Sequence, residues 1–584
     1  MNTDSKKSNG AGIENLEKIR HSLAHLLAAA IEKLYPDAKR TLGPAIENGF
    51  YYDFEFSTPI SDKDLPKIEK EMKKILKTWK AFEKIAIDED GAQKEFVGNK
   101  YKLELIDEII KKGDTLTLYK SGNFVDLCRG GHVDDTKEIN PEAFTLDRVA
   151  GAYWRGDEKN TMLTRIYGLA FETKEELEQY KEQREEAKKR DHRKLGKELE
   201  LFTIIDEIGP GLPLFYPKGT KLRNLIETSV LEEQEKRGYV PIWIPHITKG
   251  KLYEISGHLD KYDTLFSPMK VDDEDYYIKP MNCPHFMMLY KSLPHSYREL
   301  PLRYTSMSTV YRYEKSGELS GLNRVRALTQ DDCHVFCTTE QIKSEIELML
   351  DTLQAVYQKF GLEDFWVSIS LRDNSNKYIG DDATWNTAED ALRSVVKDTG
   401  WKFEEVEGEA AFYGPKLDFM FKDALGRTWQ LSTIQLDFNL PERFELEYTG
   451  AGNTKERPVV IHRALLGSTE RFMGIMIEHF AGAFPLWLAP VQVWVLPISE
   501  KHKEYAHDVY EKLRSEGIRV ELRDEDETLG KKIRETKNQK IPYFLVLGDE
   551  EVNSKQVTVE SRDKGKVGVM NISDLTAKLK EEIS

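Results

Sequence analysis

Three segments of the chain carry side chains that could bind a metal ion and a polyphosphate. A zinc ion accepts thiolate and imidazole ligands, and it keeps a coordination position open when the protein supplies three. Arginine binds two phosphate oxygens at once through its planar guanidinium group. The segments are KPMNCP at 279–284, YRYEKSG with RALTQDDCH within 311–334, and VIHRALLGSTER at 460–471, and they include Cys283, His334, His462, Arg312 and Arg471.

These side chains lie far apart in the chain, and no local metal motif joins them. Long-range elements of secondary structure must therefore bring them together. Between residues 199 and about 487, strand-like segments recur without the strand–helix–strand alternation of a parallel sheet. We therefore predict an antiparallel sheet flanked by helices. The strand candidates are YVPIWIPHI, LRYTSMSTVYRYE, FWVSISLR and KLDFMFKD.

The chain changes character on both sides of this sheet. A chain of 584 residues is too long for one core. Helical spacing of apolar residues begins an α+β domain, a nearly all-charged segment predicts an exposed helix, and the last hundred residues or so alternate strand and helix. The predicted parts are a disordered tail at 1–12, a first domain at 13–173, a linker helix at 174–198, a sheet domain at 199–487 and a small α/β domain at 488–584.

Composition excludes several classes of protein. No apolar run reaches the ~20 uncharged residues of a membrane span, and the N-terminal MNTDSKKSNGAG is too polar for a secretory signal, so we expect a cytoplasmic protein with no membrane partner. The net charge of −16 argues against indiscriminate nucleic-acid binding. RNA contact would need local basic patches such as 188–194 and 530–540. Cys333 and Cys337 are interpreted as plain buried thiols.

The three segments resemble motifs 2 and 3 of the class II aminoacyl-tRNA synthetases. The words MNCP, QDDCH, FYGPK, IHRALLGS and WLAPVQV resemble the threonyl-tRNA synthetase family, in a form without its extra small N-terminal domain, from about residue 13 to the C-terminus. The resemblance implies an α+β multidomain fold with an antiparallel class II catalytic core, an α+β editing domain and a small α/β anticodon-binding domain. It also implies a homodimer, because GYVPIWIP at 238–245 resembles motif 1.

The implied reaction joins L-threonine to ATP as threonyl adenylate and then transfers the threonyl group to the 3′ end of tRNA(Thr). One zinc ion per subunit would be held by Cys283, His334 and His462, and its vacant positions would take the amine and hydroxyl of threonine. Valine lacks the hydroxyl, so rejection of about 10⁴ is expected. The implied catalytic residues are Arg312, Arg471, Lys416, His258 and Gln330; ATP with Mg²⁺ would contact Arg312, Glu314, Arg324, Gln430 and Arg471; threonine would contact Met281, Asp332, Tyr413 and Gln435.

Zinc cannot exclude serine, which differs from threonine by one methyl group worth only ~1–3 kcal/mol. Accuracy therefore requires hydrolysis of seryl-tRNA(Thr). The words RHSLAH and DLCRGGH resemble the family's editing site, and His21 and His25 lie one helical turn apart on one face. Four such ligands could form a tetrahedral zinc site, but the resemblance favours a water molecule held by imidazoles and lysine. The implied editing residues are His21, His25, Lys102, Asp126, Cys128 and His132.

The C-terminal domain resembles the anticodon-binding domain of several class II synthetases, which read splayed anticodon bases. Three positions depart from the family pattern. Leu328 stands where an aromatic side chain commonly stacks on adenine, although an aliphatic side chain can still cover one face of the base. Glu560 stands where arginine can occur, and His285 follows MNCP where glycine is common. The anticodon candidates are Asp526, Glu551 and Arg562.

Three other functions are weighed against this one. Another class II synthetase, for proline or glycine, would lack the combination of Cys283, His334 and His462. A catalytically silent RNA-binding relative would not need intact Arg312 and Arg471. A free-standing zinc hydrolase built on HxxxH would explain only the first domain. Pyrophosphate exchange with each amino acid separates these functions.

Overall fold

The chain folds into two compact units, Met1–Glu185 and Glu186–Ser584. The computed structural model describes residues 5–375, 377–379, 381–423 and 426–583. Residues 1–4 of the predicted tail lie outside the described residues, whereas helix α1 begins at Ser5 and so extends through the rest of the predicted tail. Among the described residues, no helix combines the length and hydropathy needed to cross a bilayer.

The first unit packs helix α1 against an antiparallel sheet. Leu23, Leu27 and Phe50 are fully buried between them, because the apolar residues of α1 recur on one face. The sheet order is β1-β3-β8-β7 with β2 on β3, and β4-β5-β6 form a separate three-stranded sheet. The elements are α1 (Ser5–Leu34), β1 (Lys39–Arg40), β2 (Ala45–Ile46), β3 (Gly49–Glu55), α2 (Leu65–Leu76), β4 (Glu83–Ala86), α3 (Glu89–Glu95), α4 (Lys100–Lys111), β5 (Thr117–Ser121), β6 (Phe124–Leu127), β7 (Phe144–Tyr153), β8 (Met162–Ala170) and α5 (Lys174–Arg190).

The predicted linker is two helices rather than one. Helix α5 ends at Arg190, and Asp191 then caps the N-terminus of a second helix by accepting a hydrogen bond from the backbone N–H of Arg193. Helix α5 is polar all round, as expected of a helix with little buried surface. The division between the two units falls within this helix.

The second unit is built on an eight-stranded sheet of order β11-β15-β16-β23-β20-β19-β17-β18. Its pairs are antiparallel except at the two edges, where β11 pairs with β15 and β17 with β18 in parallel. The elements up to this sheet's last strand are α6 (His192–Glu198), β9 (Phe202–Thr203), β10 (Leu214–Phe215), α7 (Pro217–Glu235), β11 (Val240–Pro241), β12 (Ile247–Lys249), α8 (Lys251–Ser256), α9 (His258–Lys261), β13 (Met269–Val271), β14 (Glu274–Ile278), α10 (Cys283–Lys291), β15 (Leu302–Tyr311), β16 (Ala327–Cys337), α11 (Ile342–Phe360), β17 (Phe365–Leu371), α12 (Asp382–Thr399), β18 (Phe403–Glu407), β19 (Lys416–Lys422), β20 (Thr428–Asp437), α13 (Asn439–Arg443), β21 (Tyr448–Thr449), β22 (Lys455–Glu456) and β23 (Val459–Ala464).

The predicted antiparallel sheet is confirmed, with one local error. YVPIWIPHI does not form one long strand but two short ones, β11 and β12, because Pro241 and Pro245 lack the N–H that a continuing strand requires. Helices α7 and α11, together with α14 (Thr469–His479), cover one face of the sheet, where Leu222, Ile346 and Phe472 are fully buried. The opposite face carries both polar side chains and an apolar cluster that includes Phe286, Phe336 and Val460.

The C-terminal part is a small mixed α/β sheet of order β25-β24-β26-β27-β28. Strands β25, β24 and β26 are parallel, and β27 and β28 form the predicted hairpin. The remaining elements are α14 (Thr469–His479), β24 (Val493–Pro497), α15 (Lys503–Ser515), β25 (Val520–Leu522), α16 (Leu529–Asn538), β26 (Tyr543–Leu547), α17 (Asp549–Ser554), β27 (Val557–Ser561), β28 (Gly565–Met570) and α18 (Ile572–Ile583).

Candidate active sites

Strand pairing in the large sheet places several of the predicted residues directly opposite one another. His334 on β16 pairs with His462 on β23, His462 pairs with Gln435 on β20, and Gln435 pairs with Lys416 on β19. Residues directly opposite each other in a sheet point to the same face, as do residues two apart on one strand. Asp332, two residues before His334, therefore joins the same polar face. The sheet thus places distant parts of the sequence side by side.

Cys283, His334 and His462 form a cluster able to hold a metal ion. Their ligand atoms all lie within 4.8 Å of one another, and the two rings are 4.3 Å apart. Cys283 reaches the sheet from the first residue of helix α10, and burial raises the pKa of its thiol, so a metal ion would have to displace the thiol proton. The predicted trio is therefore brought together, and His285 is not part of the cluster.

The surroundings of this trio fit a metal ion. Both ring nitrogens of His334 are buried without a hydrogen-bond partner, which is costly unless a ligand occupies them. His462 Nε2 lies 2.8 Å from Asp437 Oδ2, as in the carboxylate–histidine pairs that orient metal ligands. Phe286 stacks on the His334 ring at 4.1 Å and fixes its plane. Asp437 lies two residues after Gln435 on one strand face, but no separate feature of the sequence indicated it.

The cluster is also electrostatically suited to bind an ion. Burial holds the pKa of His334 well below its ordinary value, so its ring is neutral and has a lone pair to share. Burial acts to lower the pKa of His462, but contact with the Cys283 thiol and Asp437 outweighs it and raises that pKa to about 10. A metal ion would displace this proton.

Asp332 faces the cluster from the neighbouring position of β16. Its Oδ2 accepts a hydrogen bond of 3.0 Å from Asn282 Nδ2, and burial raises its pKa to about 6. Met281 is buried in the segment before α10, next in sequence to Asn282. Tyr413 donates a hydrogen bond of 3.1 Å to Gln435 Oε1, and its ring lies 6.0 Å from that of His462. The predicted threonine-binding residues thus surround the trio.

The predicted phosphate-binding arginines lie close to one another. Burial and the like charges of Arg312 and Arg324 lower the pKa of Arg471, which shows that these groups repel one another. Arg312 Nε is buried without a hydrogen-bond partner. Arg324 pairs with Glu314 at 2.7 Å, and Arg471 Nε donates to the backbone oxygen of Asn323 at 3.1 Å. Such a concentration of guanidinium groups suits a polyphosphate.

Asp418 organises a further part of this face, and sequence reasoning missed it. Its carboxylate accepts bonds of 2.6 Å from both Lys416 Nζ and Gln430 Nε2, and one of 3.0 Å from Thr433 Oγ1. A β-bulge between Phe419 and Met420 shifts the register there, which turns the Gln430 side chain to the face that Thr433 shares. Asp418 was detectable only as the polar residue two places after Lys416 in a strand.

Two other predicted residues hold less direct positions. His258 is buried at the start of α9, its Nδ1 lies 2.8 Å from Ser256 Oγ, and burial lowers its pKa to about 4. Gln330, two residues before Asp332, donates to the backbone oxygen of Gly467 at 3.4 Å. Leu328, two residues before Gln330 on the same strand, is partly exposed.

The first unit contains a second cluster, which joins four of the six predicted editing residues. The ligand atoms of His21, His25, Cys128 and His132 lie within 4.8 Å of one another. Cys128 Sγ is 3.5 Å from His21 Nε2 and 3.3 Å from His132 Nε2. Three of the four, without His132, line a cavity of ≈ 360 Å³ that also exposes Lys102 and Asp126.

Burial keeps the groups of this cluster uncharged. It lowers the pKa of His25 to about 3 and that of His132 to about 2, and it raises the pKa of the Cys128 thiol to about 11. Neutral imidazoles can accept a hydrogen bond from water at pH 7. His25 Nδ1 is buried without a partner and is free to do so.

A buried charge network supports the wall of the cavity. Lys102 Nζ lies 2.6 Å from Asp126 Oδ1, and Tyr52 donates a hydrogen bond of 2.5 Å to Asp126 Oδ2. Arg40 lies 3.4 Å from the same carboxylate and over the ring of Phe124. Although burial opposes ionisation, the two cations hold the pKa of Asp126 below its usual range. Tyr52 and Arg40 were not predicted from the sequence.

The three anticodon candidates do not form one cluster of free side chains. Asp526 is exposed. Glu551 accepts bonds from Gly548 N–H at 2.8 Å and from Thr558 Oγ1 at 2.5 Å. Arg562 donates to the backbone oxygens of Phe484 and Lys540. These internal contacts give Glu551 and Arg562 structural roles in the fold, and their part in base reading stays a prediction.

Comparison with known proteins decides between the alternatives. Three family profiles match: "tRNA synthetase class II core domain (G, H, P, S and T)" over residues 266–480, "Anticodon binding domain" over 492–582, and "Threonyl and Alanyl tRNA synthetase second additional domain" over 116–167. A threonine–tRNA ligase of Rubrobacter xylanophilus is 50% identical to the chain. The match covers 95% of this chain and 86% of that relative. The chain belongs to the threonine–tRNA ligase family. The family therefore confirms the predicted class II fold.

Two further relatives agree with this family. The threonine–tRNA ligase of Gloeobacter violaceus is 50% identical over 98% of this chain and 93% of its own. The crystal structure of the RNA binding domain of threonyl-tRNA synthetase from Cryptosporidium parvum Iowa II aligns with a TM-score of 0.64 and 38% identity, covering 67% of this chain and 98% of that one. The alternatives of a proline or glycine synthetase and of a free-standing hydrolase are thereby excluded.

The metal cluster leads to a direct test of metal content. We expect the purified chain to carry about one zinc ion, and Cys283→Ser to lose most of it, because the hydroxyl of serine is a poor zinc ligand compared with a thiolate. Atomic emission of the dialysed protein measures the content. Cys333→Ser is the matched control, since this buried thiol lies outside the cluster.

Cys128→Ser, in the second cluster, should leave the zinc content unchanged. A content of two ions that falls to one in this variant would contradict the prediction that the editing cluster holds water rather than metal. Retention of zinc by Cys283→Ser would contradict the first assignment.

Proposed function

We propose that the chain is a threonine–tRNA ligase that also hydrolyses mischarged seryl-tRNA(Thr). The observation that carries the proposal is the convergence of Cys283, His334 and His462 beside Asp332, in a chain that belongs to this family. A metal-binding cluster with a neighbouring hydroxyl acceptor suits an amino acid that carries both an amine and a hydroxyl. The proposed setting is the cytoplasm, and the proposed parts are the catalytic domain at 199–487, the editing domain at 13–173, the linker at 174–198 and the anticodon-binding domain at 488–584.

Activation is a displacement at the α-phosphate of ATP by a carboxylate oxygen of threonine, with pyrophosphate as the leaving group. It needs charge neutralisation and alignment more than a protein nucleophile. We assign Arg312 to the α-phosphate and Arg471 to the γ-phosphate, with Mg²⁺ sharing the negative charge. Their mutual repulsion is relieved when the triphosphate binds. Glu314 holds Arg324 at the edge of this site.

Lys416 and Gln430 are assigned to the adenylate, held in place by Asp418. A carboxylate fixed by four donors, including Ser370 Oγ at 3.0 Å, is a rigid support for both side chains. Transfer then moves the threonyl group from the adenylate to the 3′ hydroxyl of the tRNA. Buried His258 and Gln330 are assigned to this second step, in which the hydroxyl must lose its proton.

Specificity is assigned to the metal cluster and the side chains around it. Zinc, when held by Cys283, His334 and His462, supplies a positive charge and vacant positions for the amine and hydroxyl of threonine. We assign Asp332 as the acceptor of a hydrogen bond from that hydroxyl, and Tyr413 and Gln435 as contacts to the rest of the amino acid. Valine leaves these polar groups unpaired, which is why a site of this kind rejects it strongly.

We predict that Asp332→Ala lowers threonine activation by about tenfold to a hundredfold, because a hydrogen bond to a charged acceptor is worth about 1.5–3 kcal/mol. Weak activation of valine should not change, since valine has no hydroxyl to bind. Pyrophosphate exchange with threonine, serine and valine measures the effect, and unchanged zinc content serves as the control. An equal fall for threonine and valine would show that Asp332 has a structural role. Absence of exchange in the unmodified chain would favour the catalytically silent relative.

Editing is assigned to the cavity of the first unit. His21, His25 and Lys102 surround a space that can hold a water molecule against the ester of seryl-tRNA. The neutral rings can accept the proton of that water, and the Lys102 ammonium, fixed by Asp126, can stabilise the oxyanion of the tetrahedral intermediate. The extra methyl group of threonine would have to be excluded by the cavity wall.

The double variant His21→Ala with His25→Ala should spare threonine activation and lower seryl-tRNA hydrolysis by at least ~10²-fold, because proton transfer by a positioned group contributes about that much. The measurement is deacylation of preformed seryl-tRNA(Thr), with pyrophosphate exchange on the same sample. Clearance of seryl-tRNA at the unmodified rate would show that other groups perform the editing.

We also propose a homodimer formed through the motif 1 segment. Trp243 is 79% exposed, and Val240 and Ile247 are more than 49% exposed on the same stretch. A run of neighbouring exposed apolar side chains is typical of an interface, whereas a single exposed one is common on any protein surface. A second copy of the chain is the expected occupant, as in class II catalytic domains.

Trp243→Glu should convert the dimer to monomer at micromolar concentration, because it places a charge in the centre of an apolar contact. Sedimentation velocity measures the change. Val97→Glu is the matched control: Val97 is 78% exposed but belongs to the first unit. A monomeric unmodified chain, or a Trp243 variant that stays dimeric, would contradict the interface.

A further inference from the structure

A third cluster of potential ligands lies where the second linker helix meets the ATP site. Asp191, His192 and Glu478 have ligand atoms within 4.8 Å of one another. Every partner position of the imidazole is already filled, however. His192 Nδ1 lies 2.6 Å from Glu478 Oε1, and His192 Nε2 lies 3.0 Å from the backbone N–H of Leu322. The cluster therefore has a role other than metal binding.

The bonding partners fix the state of this ring. Because a backbone N–H can only donate, His192 Nε2 is the acceptor and carries no proton. The proton is then on Nδ1 and is donated to Glu478. Glu478 also accepts the backbone N–H of His192 at 3.0 Å and is paired with Arg427. Although burial acts against ionisation, these contacts hold the pKa of Glu478 below its ordinary value.

The His192 ring packs closely against the loop between β15 and β16, which carries the ATP-binding candidate Arg324. A Cβ atom on Gly321 would lie 2.2 Å from His192 Nε2, and the backbone of Gly321 has φ +50. A Cβ atom on Gly474 of helix α14 would lie 2.7 Å from Asn323 Oδ1. The loop between β15 and β16 is therefore wedged between His192 and α14, and only glycine allows it.

This contact leads directly to a phosphate-binding arginine. Leu322, whose N–H binds His192, is followed by Asn323, whose backbone oxygen accepts Arg471 Nε at 3.1 Å. Arg324 comes next in the same loop. The backbone oxygen of Asn323 therefore helps to set the direction of the Arg471 guanidinium group. Two hydrogen bonds, one from Leu322 to His192 and one from Arg471 to Asn323, thus connect the linker helix to the guanidinium group.

We propose that His192 is a positioning residue of the ATP site: it holds the loop at Leu322 and Asn323 so that Arg471 is aimed at the triphosphate. The proposal rests on the proposed function in that the site binds ATP. It assigns to the linker helix a part in nucleotide binding that the sequence motifs do not show. The ring acts through the loop and does not touch substrate.

The test compares two conservative replacements that keep different halves of the imidazole. His192→Gln keeps an acceptor near the position of Nε2, and His192→Asn keeps only a donor near that of Nδ1. We expect Asn to raise the KM for ATP about tenfold, because a buried N–H loses its acceptor, and to leave the KM for threonine unchanged. Gln should stay within about threefold of the unmodified chain.

Pyrophosphate exchange measures both KM values, and equilibrium binding of a nonhydrolysable ATP analogue gives the affinity without turnover. His502→Gln is the matched control, since His502 is also buried and bonded to a carboxylate, Asp549, but lies in the C-terminal domain. The proposal would be overturned if both variants raised the KM for ATP and the KM for threonine to the same extent. It would also be overturned if neither variant changed either KM.

A second variant approaches the contact from the loop. Gly321→Ala forces a Cβ atom against the ring and should raise the KM for ATP even if His192→Asn fails to fold, as judged by its melting temperature. An unchanged analogue affinity in Gly321→Ala would overturn the proposal. If the unmodified chain bound the ATP analogue but showed no threonine-dependent exchange, the proposed function would be contradicted. The positioning role of His192 would then still stand.

Discussion

The cross-strand register of the large antiparallel sheet is the constraint on which the candidate active site depends. Each strand contributes only some of the polar side chains, and none of these strands carries a complete site. Only the pairing of β16 with β23, and of β23 with β20, puts His334, His462 and Gln435 in one row. A slip of one residue would turn that strand's side chains to the helix-covered face. The apolar residues behind the sheet therefore select the register, and the register selects the site.

The two candidate active sites handle charge in opposite ways. In the second unit, the candidate ATP site has more arginine side chains than nearby carboxylates pair with, which suits an anionic ligand. In the first unit, burial keeps His25, His132 and Cys128 neutral, while the charges of Lys102 and Asp126 cancel behind them. The first arrangement suits a reaction that must neutralise phosphate. The second suits a site that accepts hydrogen bonds from a water molecule and orients it.

The fold class, the trio, the phosphate-binding arginines and the editing histidines were all predicted from the sequence. Each of these residues lies in a segment that resembles a motif of one family, and these motifs occur in a fixed order. The sequence could not lead to Asp418, Asp437 or Arg40. Each of these is a single charged residue in a strand, and such residues are usually solvent-exposed. Their importance comes from contacts made across strands, which spacing along the chain does not encode.

Errors in the sequence-based description have similarly local causes. Pro241 and Pro245 turned one expected strand into two, since a proline removes a ladder hydrogen bond. The linker was expected as one helix, but Asp191 caps a new one and places His192 at its first residue. The tertiary partner of that histidine, Glu478, lies at the far end of the catalytic domain. No pattern within the linker could have indicated it.

The placement of His334 and His462 on paired inner strands has a kinetic consequence. Ligands carried by loops are released whenever a loop opens, whereas interior strands of a sheet separate only in the rarest, largest fluctuations of a domain. An ion seated on such strands would leave slowly, even when a chelator in solution binds it far more tightly. Loss of metal would then report opening of the sheet itself, so the ion would behave as a built-in part of the fold rather than as an exchangeable ligand.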